Sequence, residues 1–380
     1  GRFIASKYKA VLALSVVASV LITSAITRNE INDDFLKYFD EDITFRSDTD
    51  WISKNLTGLN QIQFDMQSKK PNGISDPKFL TKLEAFSQWA RKQDVVTNVQ
   101  SITDVFKRLN RDLNGGDTNF YQVPESRELA AQYLLLYELS LPFGLDLNNQ
   151  IDIDKSSTQV IVTIEDLTTN EIKAWIKEAE TFLTEELGMD AVAAGPTVMF
   201  SYIAERNIQG MLWGTLYAVL IISGIILIAL RDVRLGLLSL VPNILPAALA
   251  FGVWGMFVGQ VNMAVAVVTG MALGVIVDDS VHFLTKYQLA RKNDNLSAEK
   301  AVVSAFGGVG TALLVTTVIL VAGFAILAQS SFGLNSAMAS LTAISLFMAL
   351  IADLTILPSL LILLDRKMSN QEPQSDIVAA

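Results

Sequence analysis

The chain has 380 residues, of which 51% are hydrophobic, and carries a formal net charge of −10. That apolar fraction is too high for an ordinary water-soluble domain, and the acidic balance argues against a nucleic-acid surface, which would call for a basic patch. There is no cysteine, so disulfides are excluded and the redox compartment cannot be inferred.

The first uncharged run lies at about 10–27, behind Arg2, Lys7 and Lys9. It is longer than the ~7–15-residue core of a signal peptide, so it reads as a retained membrane helix. A charged, mixed stretch follows from Arg28 to about Gln209. Within it "LNQIQFDMQ" at 59–67 alternates like a strand. Asp76 then caps a helix over 76–92 with Pro77 at its first position. "VVTNVQSI" at 95–102 reads as a second strand, and 103–140 as two helical pieces split by "NGGD" at 114–117. A second strand–helix–strand unit follows: "TQVIVTIED" at 158–166, a helix over 168–187 ended by Gly188, and a short strand at about 190–194. Two such units on an open sheet predict an α+β, ferredoxin-like layout. Nothing in this stretch has enzyme spacing: no histidine, no cysteine and no glycine-rich phosphate loop.

Beyond Gly195-Pro196 a polar helix leads toward five more uncharged runs, at 211–230, 235–262, 263–277, 301–328 and 329–352. Runs of roughly 18 or more apolar residues read as membrane spans, because ~20 helical residues cover a ~30 Å hydrocarbon core. The expected fold class is therefore an α-helical membrane protein of six transmembrane helices, one plus five, with a large water-facing domain between the first and second. The boundaries are a first helix at 1–27, the domain at 28–210, helices 2–6 over 211–366 and a tail at 367–380. Helix 5 is longer than one span, which leaves room for 301–306 to lie along a membrane surface. Pro242 and Pro246 are expected to bend helix 3, with a packing role.

Charge predicts the orientation. Eleven basic residues lie outside 28–210, and each falls before helix 1, between helices 2 and 3, between helices 4 and 5, or after helix 6. The alternate connections, "GQVN" at 259–262 and "QSSFGLN" at 329–335, carry no charge. Because Lys and Arg concentrate on the cytoplasmic side, both termini are expected inside and the large domain outside.

One segment conflicts with this apolar setting. In "GVIVDDSVHF" at 274–283, Asp278 and Asp279 follow an uncharged run, and His282 is the chain's only histidine. Ala266, Gly270, Gly274, Asp278 and His282 recur every four residues, so they form one stripe on helix 4. The glycines are expected to let a neighbouring helix approach, burying the carboxylate on the protein-facing side. Helix 6 carries a similar stripe, Thr342, Ser345, Ala349 and Asp353, placing Asp353 in about the same layer. Adjacent carboxylates in a low dielectric disfavour double ionisation, so one can hold a proton reversibly. That suits proton coupling. His282 fits either a proton relay or an interfacial residue; Asp353 fits either a functional acid or a helix-orienting one. Thr316 and Thr317 on helix 5 can support the acids or bond back to their own helix.

The segment "GVIVDDSVHFLTKYQ" resembles the fourth-helix motif of the RND (resistance–nodulation–division) superfamily, in its MMPL-like and Patched-like branch. "VPNILPAALAFGVWG", "VAGFAILAQSSFG" and "ADLTILPSLLILL" are similar to that family's third, fifth and sixth helices. The resemblance implies one half-repeat of an exporter driven by proton motive force, a secondary transporter rather than an enzyme. It implies Asp278 and Asp279 as the proton site, an outer porter domain, and no cofactor besides the coupling proton. The implied cargo is a lipid, lipid-linked or other hydrophobic substrate, moved from a bacterial inner membrane with a possible periplasmic accessory protein. The family normally carries two such halves, so a second half-repeat is the implied partner, in the same polypeptide or another chain. The family's drug-efflux branches pair their acids with a membrane lysine, which no helix here supplies. A sterol-sensing-type lipid sensor shares the five-helix arrangement and is the alternative. An intramembrane aspartyl protease would need a GxGD motif, and none occurs.

Overall fold

The computed structural model describes residues 1–34, 36–142 and 146–369; most of the expected tail, 370–380, lies outside them. Two compact units divide the chain, one formed by 1–40 with 204 onward and the other by Glu41–Ile203.

Among the described residues six helices are long and apolar enough to cross a membrane: Arg2–Arg28, Pro196–Leu230, Leu235–Phe257, Met263–Lys292, Ala298–Leu327 and Gly333–Arg366. They are called spans 1 to 6. After span 1, strand β1 (Glu30–Ile31) leads to Tyr38, whose hydroxyl donates to the buried Asp33 carboxylate.

In the unit Glu41–Ile203, a helix over Thr44–Asn55 precedes β2 (Asn60–Gln67). The helix Pro77–Arg91 then leads to β3 (Val96–Gln100), and two helices, Ile102–Leu113 and Arg127–Ser140, lead to β4 (Ser157–Ile164). The helix Thr169–Thr181 connects to β5 (Ala191–Ala194). The sheet order is β3-β4-β2-β5 with every neighbour antiparallel. Each strand–helix–strand unit therefore clasps a strand of the other. Strand alternation sets the layers: Ile62, Phe64 and Met66 are fully buried while Gln61, Gln63 and Asp65 point away from the core. Phe64 meets Phe86 edge-on at 5.1 Å, and Trp89 stacks on Phe182 at 4.7 Å. Local signals start the helices: Asp76 accepts from the Lys78 amide, and Thr168 with Glu171 forms a capping box.

Beneath that core lies a buried ion pair. The Glu84 carboxylate accepts from Lys107 Nζ at 2.7 Å, Thr103 Oγ1 at 2.7 Å and Gln88 Nε2 at 2.9 Å. Burial alone would push its pKa up, but those donors outweigh it and hold the carboxyl below its usual range. Burial opposes the Lys107 charge too, yet Glu84 and Asp104 hold its pKa above the usual value.

In the helical unit, β6 (Gln260–Val261) pairs in parallel with β1, and Phe39 bridges to Phe332. The segment after span 1 is thereby tied to the span 3–4 and span 5–6 connections. Glycines allow the tightest contact here. A Cβ on Gly252 would stand 2.2 Å from the Ile22 carbonyl, and one on Gly255 2.3 Å from the Ala25 carbonyl, so spans 1 and 3 touch backbone to backbone. At the opposite end Arg291 pairs with Asp365 at 2.7 Å and Arg366 with Glu299 at 2.6 Å. Span 4 is one helix of 30 residues, well past the uncharged run. Ala298, Ala301, Val302 and Ala305 fall on one helix face and are buried against a cluster that includes Phe283, Leu284 and Leu361.

Two outcomes follow. Gly252→Val should lower the thermal midpoint of the purified protein or abolish its folding, because the clash is with backbone, whereas Gly224→Ala, with open space around it, should shift it little. Lys107→Met should destabilise the domain by ~3–5 kcal/mol, read as faster hydrogen exchange of the β2–β5 core, since it strands a buried carboxylate. The depressed Glu84 pKa contributes stability that is fully present above the unfolded value near 4.5 and is lost as pH falls through the folded value. Protection factors in the wild type, corrected for the intrinsic exchange rate at each pH, should therefore fall below about that pH, and Lys107→Met should flatten the dependence.

Candidate functional site

Span 4 packs through one face. Ala272 and Ile276 sit with Leu346 and Ala349 of span 6, and Phe283, Leu284 and Tyr287 sit in the next cluster along. Ser280 continues this face and is fully buried. Asp278 lies two residues from both Ile276 and Ser280, and two residues turn a helix by about 200°, which directs Asp278 away from the packed side.

The expected burial of Asp278 is thus not met within this chain: its side chain is 71% exposed and that of His282 62%. His282 Nε2 stands 3.4 Å from Asp278 Oδ1, an ion pair whenever the imidazole is protonated. Gly274 is open, with no atom among the described residues within 4 Å of a Cβ built there, and a Cβ on Gly270 would meet Thr215 Oγ1 at 3.4 Å. Of the expected stripe Ala266 is buried, while Gly270, Gly274, Asp278 and His282 form an open face.

Asp279 is half-buried and within electrostatic reach of Asp278 and His282 on one side and of Asp353 on the other. Asp353 is 2% exposed and accepts from Ser280 Oγ at 2.9 Å. Three carboxylates therefore run from an open helix face into the bundle. Asp353 sits in a π-helical turn, Ala352–Ile356, between the helices Gly333–Ile351 and Leu357–Ser369. Such turns often mark functional positions.

Three of the hydroxyls bond back to their own helices. Thr316 is exposed and donates back to Ala312 O at 2.9 Å. Thr342 and Ser345 likewise donate to Met338 and Leu341 of their own helix, whereas Thr317 is buried on span 5. Two residues were not singled out by spacing. Ser280 joins Asp353 to span 4, and its signal was its place seven residues after Leu273 on the packed face. Asn243, fully buried on span 3, is the one amide in "VPNILP", where the two prolines are the stronger local signal.

A family description for MMPL matches residues 150–378, a segment that runs from before β4 through span 6 and holds all three carboxylates. A membrane protein of Methanocaldococcus jannaschii is 22% identical over 304 residues, which make up 79% of this chain and 74% of that protein. With more than half of its length matched, and six apolar spans around an acid-bearing fourth helix, the chain belongs to the MMPL family.

Proposed function

We propose that this chain is one half-repeat of an RND-type secondary transporter, an exporter driven by proton motive force, in which Asp278 and Asp279 bind the coupling proton. The carrying observation is the open stripe of Gly270, Gly274, Asp278 and His282 on a helix otherwise apolar enough to cross a membrane. A carboxylate facing lipid costs ~2.5–3.5 kcal/mol even on insertion scales, so such groups face a bundle interior or a wet cavity. A second half-repeat covering this face removes that cost, its approach eased by the two glycines. The acids then lie at the seam between halves, where a rocking motion can open them to either side in turn. His282 stands where it can pass a proton to Asp278, and Thr316, Thr317 and Asp353 are supporting groups in the same layer.

The unit Glu41–Ile203 is proposed as a periplasmic porter domain. Its antiparallel order β3-β4-β2-β5, built from two interleaved strand–helix–strand units, supports a ferredoxin-like fold. The basic residues bordering spans 1, 3, 5 and 6 support cytoplasmic termini in a bacterial inner membrane. Exposed Trp213, Tyr217, Ile221, Ile225 and Ile228 on span 2 suit lipid or another hydrophobic cargo.

Proton uptake into liposomes holding this chain with its second half should be gradient-driven and fall more than tenfold in Asp278→Asn and in Asp279→Asn. Equal leak in all three proteins would overturn the exporter reading and favour a lipid sensor. Gly274→Leu should leave the unfolding midpoint of this chain unchanged yet weaken its association with the second half, measured by co-purification.

A further inference from the structure

No Lys or Arg occurs between Arg234 and Lys286, or between Lys300 and Arg366. Asp353 is therefore a fully buried carboxylate whose own helix and neighbouring spans 3 and 4 bring no fixed cation to its level. Its Oδ1 accepts from Ser280, but its Oδ2 has no partner among the described residues. Buried polar atoms are ordinarily satisfied, and an unpaired charge in a low dielectric is far more costly than an unpaired amide.

A second orphan lies on span 3, about one helical turn away along the bundle. Asn243 is fully buried, and both its Oδ1 and its Nδ2 lack a partner among the described residues. Asn243, Ala250 and Trp254 fall on one helix face, with Ala250 and Trp254 each about 20° to either side of Asn243 by the 3.6-residue repeat. Ala250 and Trp254 pack with Val265, Ala266 and Val268 of span 4 and Leu341 of span 6, so this face directs Asn243 toward the same two spans. Moving along the bundle, seven residues from Ala250 to Asn243 and eight from Val268 to Ile276 or Leu341 to Ala349 each cover about 10–12 Å. Asn243 is thus level with Ile276 and Ala349, one turn from Ser280 and Asp353. Side chains tilt toward their helix N-terminus. Span 3 runs opposite to spans 4 and 6, so Asn243 tilts toward Asp353 and Ser280 while they tilt toward it. The turn Ala352–Ile356 packs against the helix Leu240–Phe257, as this placement requires.

Span 3 offers one more oxygen. Pro246 lies inside the helix and has no N–H to give the carbonyl of Pro242, the residue beside Asn243.

We propose that Asp353, Ser280, Asn243 and the Pro242 carbonyl form a buried binding site for a sodium-sized monovalent cation, separate from Asp278–Asp279. The donors are all hard oxygens, which suit such an ion. One carboxylate matches one positive charge, whereas a divalent ion would leave net charge in the bundle and normally recruits several acids. A proton alone would neutralise Asp353 but would leave the Asn243 and Pro242 oxygens unmet. The proposal is independent of whether the chain exports anything.

The test uses the full chain, purified in a choline buffer and reconstituted in nanodiscs, with radioactive sodium as the probe. One saturable sodium per chain is expected. It should be lost in Asp353→Asn, at least tenfold weaker in Asn243→Ala, and still saturable at one per chain, with affinity lowered less than in Asn243→Ala, in the double variant Asp278→Asn/Asp279→Asn. The wild type alone gives a second readout that needs no variant to fold: its unfolding midpoint should rise with sodium at constant ionic strength and not with choline. No saturable binding and no midpoint shift in the wild type would overturn the site. So would wild-type affinity in Asp353→Asn, or binding lost only in the Asp278/Asp279 double variant.

Discussion

An ionised carboxylate in hydrocarbon has no water to solvate it, and a helix can hide only one face from lipid. Span 4 commits its packed face to Ile276, Ser280, Phe283 and Leu284, so Asp278 is turned outward by helix geometry alone. Asp279, one residue on, falls between the two faces. Asp353 arrives from span 6 and reaches the packed side through Ser280. The three acids thus meet the same constraint in three ways. One is left on the open face, one sits at the boundary, and one is enclosed by its own bundle.

The rest of the helical unit holds that arrangement in place. Spans 4 and 6 run side by side because Ala272 and Ile276 fit against Leu346 and Ala349, small residues alternating with large. Span 3 is drawn in by the contact of Gly252 and Gly255 with the backbone of span 1. The β1–β6 pair and the Phe39–Phe332 bridge clamp the connections at one end, while Arg291–Asp365 and Arg366–Glu299 join spans at the other. Lipid supplies no hydrophobic drive between helices, so close packing and a few polar ties carry the association.

Much of this was legible beforehand, and the exceptions share a cause. Strand β2 announced itself by alternation, and helices by Asp76 and Gly188, because those signals are local. The helix Thr44–Asn55 has no side-chain cap and follows Ile43, so nothing local marks its start. Strands β1 and β6 are two residues each and exist only through pairing across more than two hundred residues. The glycines posed the hardest case. Gly252 and Gly255 lie on an apolar helix with no charged face to orient them, and Gly270 and Gly274 share a stripe with Asp278 that could equally be packed or open, so spacing cannot tell a packed glycine from an open one. Ser280 escaped for the same reason: its partner, Asp353, comes from another span.

Asp279 gives the two proposed sites a physical link. It lies within electrostatic reach of Asp278 on the open side and Asp353 on the enclosed side. A cation held at Asp353 and a proton held on Asp279 both place positive charge in one low-dielectric layer, so each opposes the other. Such opposition is a coupling free energy and is reciprocal: whatever factor sodium imposes on proton affinity, the proton imposes on sodium affinity. The sign follows from charge alone, and the size depends on how far the bundle excludes water between the two acids. Covering the open face with a second half-repeat would dry that layer and strengthen the coupling. Assembly at the Gly270–His282 stripe would then alter ion binding at Asp353, although that site touches no residue of the interface.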